Sequence, residues 1–334
     1  MNSRVKNRKK LMNINEIKTS IGSFLGPYLG KPYYTLMKLL RIQLGLPIDY
    51  DGNEANSYIK QLLESNKPCM IARFGETELR TCVAYINKKN GIKFGIKNFL
   101  RRESFTWDER IKHRMFALAG LTPATPETLD FFSKKLIEDM KLVDILGSWI
   151  TFEERVQPYL PSAKFIPLND LDPWKHKSPW TTALKEKKVL VIHPFEKTIK
   201  QQYKRRNLLF NNESVLPEFE LITMKPFFPL MDTNYKYNSW FESLDDMCKK
   251  ISKINFDIAI IAAGPYGFHI AAHIKRTGKK AVHLGGVTQL LFGIKGKRWD
   301  NTDVEKKLYN KHWIRPLASD TPKNSQKIEN KCYW

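Results

Sequence analysis

Little in these 334 residues speaks for a disulfide framework or a zinc module. The four cysteines, Cys69, Cys82, Cys248 and Cys332, stand far apart and form no C-x-x-C pair. A reducing compartment follows. The chain also has no G-x-G-x-x-G fingerprint, no H-E-x-x-H, no internal repeat and no low-complexity tract. The longest stretch without a formal charge, Ile258–Ile274, approaches the length of a membrane span, but Gly264-Pro265, Gly267, His269 and His273 divide it into strand, turn and helix. No apolar run with a small-residue cleavage site follows the basic start, so no secretory leader is expected. Acids are the other shortage: 34 Asp and Glu face 56 Lys and Arg, a net charge of +22. Such an imbalance points to a polyanionic surface or ligand.

What is present suits a sizeable folded body. Hydrophobic residues make up 42%, aromatics 12% and charged residues 27%, with a mean hydropathy of -0.44. That is too apolar for disorder and too polar for a membrane-embedded chain. The excess charge is uneven, with nine Lys and Arg against one acid over 1–47 and fourteen against five over 271–334. Basic end segments on an ordinary globular body fit this better than a surface built to coat nucleic acid. Nucleic acid is therefore not the expected partner, and an anionic membrane surface is.

Residues 33–46 place Tyr33, Leu36, Met37, Leu40 and Leu44 on one helical face beside Lys38 and Arg41, which suits a membrane surface or a helix packed on the body or on a dimer partner. From residue 54 the pattern alternates. A helix runs to Asn66, a strand over Cys69–Phe74, a helix over Glu76–Asn87, a helix over 126–142 opened by Thr125-Pro126-Glu127, and a strand over Val143–Ile150. The proline-rich stretch 151–180 reads as a long irregular connection. Then come a strand at Lys188–His193, a basic helix at Thr198–Phe210, a strand at Phe219–Met224 and a helix at Ser239–Ile254. A strand at Asp257–Ala262, a helix at Tyr266–Thr277 and a strand at Lys280–Leu284 follow. The reading is an α/β, Rossmann-like fold: a mostly parallel sheet with helices on both faces and ligands at the carboxyl ends of the strands. It divides the chain into a basic N-terminal segment (1–53), an α/β body (54–315) and an aperiodic tail (316–334).

Four sets of residues could carry chemistry. At the end of the first strand, Arg73-Phe74-Gly75 leads into Glu76-Thr77-Glu78; the two carboxylates could hold Mg²⁺ or Mn²⁺ on a diphosphate, with Arg73 as a forked phosphate ligand. Acids in a first helical turn also simply complement the helix dipole. Gly264-Pro265-Tyr266-Gly267 is a turn feeding a helix N-terminus, either a phosphate seat or a plain tight turn. Gly285-Gly286, with Lys295, Lys297, Arg298 and Trp299 downstream, could clamp phosphates and stack a ring, or form a basic loop around a buried indole. His193 ends its strand with Glu196 close behind, where a base or a structural histidine would stand. His269 and His273 have the i, i+4 spacing of zinc ligands without the accompanying Glu or a third ligand, and Lys204, Arg205 and Arg206 suit a solvated helical face.

Taken together, A-R-F-G-E-T-E, the A-G-P-Y-G turn and the following AAHIKRTGKKAVHLGG resemble bacterial GT-D type glycosyltransferases, and more closely the GT-D-like proteins of polysaccharide gene clusters, over roughly residues 54–300. The resemblance implies a nucleotide-sugar-binding α/β fold in which an Asp-x-Glu motif serves metal and diphosphate. Glu76 then stands at the Asp position and Glu78 at the Glu position, with a divalent cation between them, and Arg73 and Gly75 form the approach. Two departures stand out: the first acid is Glu, and the acidic groups after the final strand are replaced by GGVTQLLFGIKGKRW. The expected activity is transfer of a sugar from a nucleoside-diphosphate donor to a glycan or lipid-linked acceptor in bacterial surface polysaccharide or glycoconjugate biosynthesis. The expected location is cytoplasmic, peripheral on the inner face of the membrane, with His193 or Glu196 as base. The competing expectation is a non-catalytic nucleotide- or nucleic-acid-binding protein using the same basic surface.

Overall fold

The computed structural model describes residues 46–334 apart from 96–97, 100–102, 106, 229–236, 323–324 and 328–330. The amphipathic segment 33–46, save Leu46, and most of the basic segment 1–53 therefore lie outside the described residues. Among those described, no helix is long and apolar enough to cross a membrane.

Among the described residues, seven strands form one sheet: β1 (Cys69–Ala72), β2 (Ile145–Ser148), β3 (Lys164–Pro167), β4 (Lys188–Ile192), β5 (Glu220–Met224), β6 (Ile258–Ile261) and β7 (Lys280–His283). Their order is β3-β2-β1-β7-β6-β4-β5, and every pairing is parallel. The α/β architecture read from the alternation is the one found. Each central strand is buried on both faces because its successive side chains feed two separate cores. Met70, Ala72, Leu190, Ile192, Ala259 and Ile261 enter one core, while Cys69, Ile71, Val189, Val191, Ile258 and Ile260 enter the other.

Helices α1 (Gly52–Glu64) and α5 (Glu196–Tyr203) cover the second face through Ala55, Ile59, Leu63 and Ile199. The first face carries α2 (Glu76–Lys89), α3 (Glu109–Ala117), α4 (Pro126–Met140), α6 (Trp240–Ser252) and α7 (Gly267–Arg276). Two short helices, α8 (Thr288–Leu291) and α9 (Asp303–Leu308), follow β7. Local chemistry sets the helix starts. Pro126 occupies the first turn of α4, and Thr125 and Thr128 cap each other's backbone N–H groups. Ser239 caps α6 by accepting from the Glu242 amide at 3.1 Å.

Three expectations need correcting. The connection 151–180 contains β3, an edge strand whose Pro167 lacks an N–H yet remains tolerable because only one side of the strand is paired. The basic helix expected over Thr198–Phe210 starts at Glu196 and ends at Tyr203, giving way to a separate turn at Arg206–Leu208. The stretch 316–334 is not a detached tail. Trp334 is only 8% exposed, and the amides of Lys297 and Arg298 donate to the carbonyls of Trp334 and Cys332 at 3.2 and 2.7 Å. Asp320 is buried and accepts from the Thr198 amide and hydroxyl at 2.7 and 2.6 Å.

The chain leaves β4 outward to β5 but leaves the neighbouring β6 inward to β7. Neighbouring strands whose connections depart in opposite directions open a crevice above their carboxyl ends.

Candidate active site

A cavity of about 480 Å³ occupies that crevice, walled by residues that follow β1, β2, β4, β6 and β7 and closed by the C-terminal Tyr333-Trp334. Among the expected residues, the fold brings together Arg73, Gly75, Glu76, Glu78, His193, Gly264, Pro265, Gly285, Gly286 and Arg298. Glu196, Tyr266, Gly267, Lys295 and Lys297 are not in its wall.

Gly75 is the N-cap of α2, and a Cβ there would lie 2.6 Å from Cδ of Glu78, so glycine lets that carboxylate fold back over the turn. Glu76 instead pairs with Arg80 one turn later, at 2.7 Å, and the Arg80 guanidinium packs 4.7 Å above the Phe152 ring. Arg73 lies 4.8 Å over the Trp149 ring, and its buried Nε has no hydrogen-bond partner among the described residues. Burial lowers the Arg73 pKa, and Glu78 is the foremost charge acting in the other direction.

These commitments decide the fit of a metal. Positions N1 and N3 of a helix point about 200° apart. Glu76 turns to Arg80 and Glu78 turns back over Gly75, so the two carboxylates do not converge on one ion. Among the described residues no group of three or more His, Cys, Asp or Glu gathers to hold one either. The expected Mg²⁺ or Mn²⁺ site at Glu76 and Glu78 does not fit this geometry, and the positive charge in the cavity wall comes from Arg73, Arg114 and Arg298.

The other strand ends complete the wall. Trp149 follows β2, is 43% exposed, and is fixed by its indole N–H donating to the Phe74 carbonyl at 3.0 Å. Its backbone N–H donates to the Glu153 carboxylate at 3.2 Å. Glu153, which also accepts from the Ser148 hydroxyl, is buried so completely that its pKa rises to about 7. Gly264 has φ +50°, and a Cβ there would meet the Phe228 ring at 2.8 Å. Gly285 and Gly286 leave room for Arg73 and Tyr333 respectively. Arg298 reaches the wall by stacking 4.5 Å above Tyr333 and donating to its hydroxyl at 2.9 Å.

Both candidate bases change role. His193 is buried, and its Nδ1 accepts from the Phe195 amide at 2.9 Å, so the neutral ring carries its proton on Nε2. Burial drives its pKa down to about 3, which makes it a hydrogen-bond donor rather than a base. Glu196 is held by Lys200 at 2.6 Å and Thr223 at 2.9 Å, outside the cavity wall; burial raises its pKa, and these two bonds more than offset that. Tyr266 is a core residue stacked 4.6 Å from Trp240 with its hydroxyl on Ser243, and Gly267 admits the His283 ring beside α7. Lys295 lies 5.4 Å from the Tyr309 ring, and Lys297 lines a separate hollow with Arg315 and Lys331. Trp299, expected to stack a ligand ring, is buried.

The sequence reading missed Trp149, Arg114, Tyr333 and the significance of His269. Trp149 could have been found, since it ends its strand just as His193 does. His273 bonds Ser252 at 2.8 Å while His269 bonds Asp139 at 2.6 Å, so their zinc-like spacing unites nothing. Searches against protein-family models, curated proteins and solved structures find no match to this chain.

Proposed function

We propose that the protein is a glycosyltransferase that moves a sugar from a nucleoside-diphosphate sugar to a glycan or lipid-linked acceptor, in surface polysaccharide or glycoconjugate biosynthesis. One observation carries the reading: Arg73, Arg298 and the glycine turns at Gly264 and Gly285-Gly286 converge in one cavity at the carboxyl ends of a parallel sheet. Arginine forks and backbone that can approach closely are what a diphosphate requires.

In this reading the diphosphate lies between Arg73 and Arg298. The guanidinium groups stabilise the negative charge that gathers on the leaving phosphate as the glycosidic bond to the donor breaks. The charge of Glu78 opposes the effect of burial on Arg73, and Glu76 pairs with Arg80. His193 donates a hydrogen bond from the wall. The partly exposed Trp149 ring, braced by Arg73, supplies a stacking surface for the donor's base or sugar at the mouth. The basic end segments hold the enzyme close to anionic lipid carrying the acceptor.

The test is release of nucleoside diphosphate from a panel of UDP-, GDP- and dTDP-sugars with total bacterial glycolipid as acceptor. Release from one donor class, lost in Arg298→Ala, supports the assignment. Nucleotide binding without release from any donor supports a non-catalytic nucleotide-binding protein instead.

A further inference from the structure

We infer that His269 is the general base of this cavity, held in its working tautomer by Asp139, and that the hydroxyl-bearing acceptor enters on the side of the cavity formed by α3, α4 and α7. The inference rests on the glycosyl-transfer reading and adds the base, the acceptor side and the stereochemical course.

His269 lies in the first turn of α7, 1% exposed, with its ring 5.3 Å from that of Phe132 on α4; it shares the cavity lining with Phe268, with Leu136 of α4 and with Arg114 and Leu118 of the α3 region. Its Nδ1 is 2.6 Å from Oδ2 of Asp139. Asp139 is fully buried, and its other oxygen accepts from Arg276 at 2.6 Å, with Lys135 3.8 Å from Oδ2. Despite burial, the hydrogen bond and charge of His269, followed by the charges of Lys135 and Arg276, hold this carboxyl below the ordinary carboxylate range. An ionised carboxylate only accepts, so Nδ1 carries a proton, and in the neutral ring the lone pair then sits on Nε2. That Nε2 is buried and has no hydrogen-bond partner among the described residues. A buried acceptor left unsatisfied costs stability, and such a group at the wall of a cavity calls for a functional explanation.

Three histidines line the cavity, and only one has this arrangement. His193 has its Nδ1 occupied by a backbone N–H. His283 also has a buried ring nitrogen without a partner, Nδ1, but its ring is bonded to the Arg73 backbone rather than to a carboxylate and faces the Arg73 charge, which opposes protonation. The His269 ring is additionally clamped edge-on by Phe132 and Trp240, each 5.3 Å away. The titratable and charged groups around the pair are Lys135 on α4, Cys248 on α6, His273 and Arg276 on α7, and His283 on β7. Asp139 is thus the acid that sets the tautomer, and Arg276 and Lys135 keep it ionised.

In the step itself, Nε2 takes the proton of the acceptor hydroxyl while the acceptor oxygen bonds to the anomeric carbon. The bond from that carbon to the diphosphate oxygen breaks, and its electron pair leaves with the nucleoside diphosphate. The imidazolium then returns its proton to solvent. Asp139 is a positioning residue and does not take the proton. A single displacement of this kind inverts the anomeric centre.

The test combines kinetics and spectroscopy. His269→Gln should keep the affinity for nucleoside diphosphate within about twofold while the turnover number falls by about 10²–10⁴-fold, the range for loss of a general base. His269→Ala should regain activity with added imidazole and not with pyrrole, which fills the same space without a basic lone pair. Nitrogen-correlated NMR of the wild-type protein at neutral pH should show the Nδ1–H tautomer with Nε2 bare, and Asp139→Asn should lose that preference. The product should carry the inverted anomer. Wild-type turnover with undiminished turnover in His269→Gln, or a protonated Nε2 at neutral pH, would overturn the assignment while leaving the glycosyl-transfer reading intact. A wild-type protein that neither binds nor turns over any sugar nucleotide would overturn both. The NMR measurement decides even if the variants fail to fold.

Discussion

Glu153 offers a test whose size and sign follow from its surroundings. Its carboxyl is fully buried behind Trp149, satisfied by Ser148 and the Trp149 amide, and its pKa is lifted by burial from the ordinary 4.5 to about 7. Between these two values the folded protein holds a proton that the unfolded chain has released, so stability falls as pH rises from about 4.5 to about 7 and is then level. A tenfold change in proton affinity is worth about 1.4 kcal/mol, so the carboxylate costs the native state about 3 kcal/mol above pH 7. Glu153→Gln removes that cost. The amide, however, presents one N–H group toward the Trp149 donor, which returns about 1–2 kcal/mol of the gain. At pH 8 the variant should therefore be more stable by about 1–2 kcal/mol, a rise of a few degrees in melting temperature. The assay is thermal unfolding of both proteins from pH 4 to 8.5, read as the difference between them. That difference should grow in favour of the variant between about pH 4.5 and 7 and then stay constant. A difference that does not change with pH, or a variant less stable at pH 8, would refute the argument from burial.

His193 and His283 titrate in the opposite sense, because burial holds both neutral with pKa values of about 3. The unfolded chain binds protons that the native state refuses, so stability should drop as pH falls from about 6.5 toward 3, and His193→Gln should shallow that loss in the same unfolding series. Glu76→Gln should lower stability by about 1 kcal/mol, since it removes the negative charge 2.7 Å from the buried Arg80 guanidinium, while nucleotide binding stays unchanged and insensitive to EDTA. A binding signal abolished by EDTA would contradict the metal-free geometry. Removing Tyr333 and Trp334 should loosen Arg298 and weaken nucleotide affinity about tenfold, measurable by calorimetric titration.

The central strands were legible because burial on both faces demands short, continuous apolar runs. Val189–Ile192 and Ile258–Ile261 offer nothing else. The edge strand β3 hid because Phe165 and Ile166 are its only buried residues and prolines surround it. The C-terminal stretch hid for another reason: it is anchored by Trp334, Tyr333 and backbone bonds to the Lys297-Arg298 loop, none of which has a period. In the site, Arg73, Gly75, Gly264 and Gly285 were found by a single rule, that ligands meet strand ends. The Glu76-Thr77-Glu78 spacing takes on another meaning in the fold because two residues along a helix separate side chains to opposite sides, with Glu76 paired to Arg80 and Glu78 folded over Gly75. His269 could not be read from its neighbours in the chain, since Asp139, which gives it meaning, lies 130 residues earlier.

The most direct measurement is titration of UDP, GDP, CMP and dTDP into the protein, with EDTA present throughout, followed by thermal shift on wild type, Trp149→Ala and Arg298→Ala. One nucleotide should raise the melting temperature of the wild type, as a ligand specific for the folded state must. Both variants should lose most of that rise. No shift with any nucleotide, or the same shift in all three proteins, would contradict a nucleoside-diphosphate site between Arg73, Arg298 and Trp149.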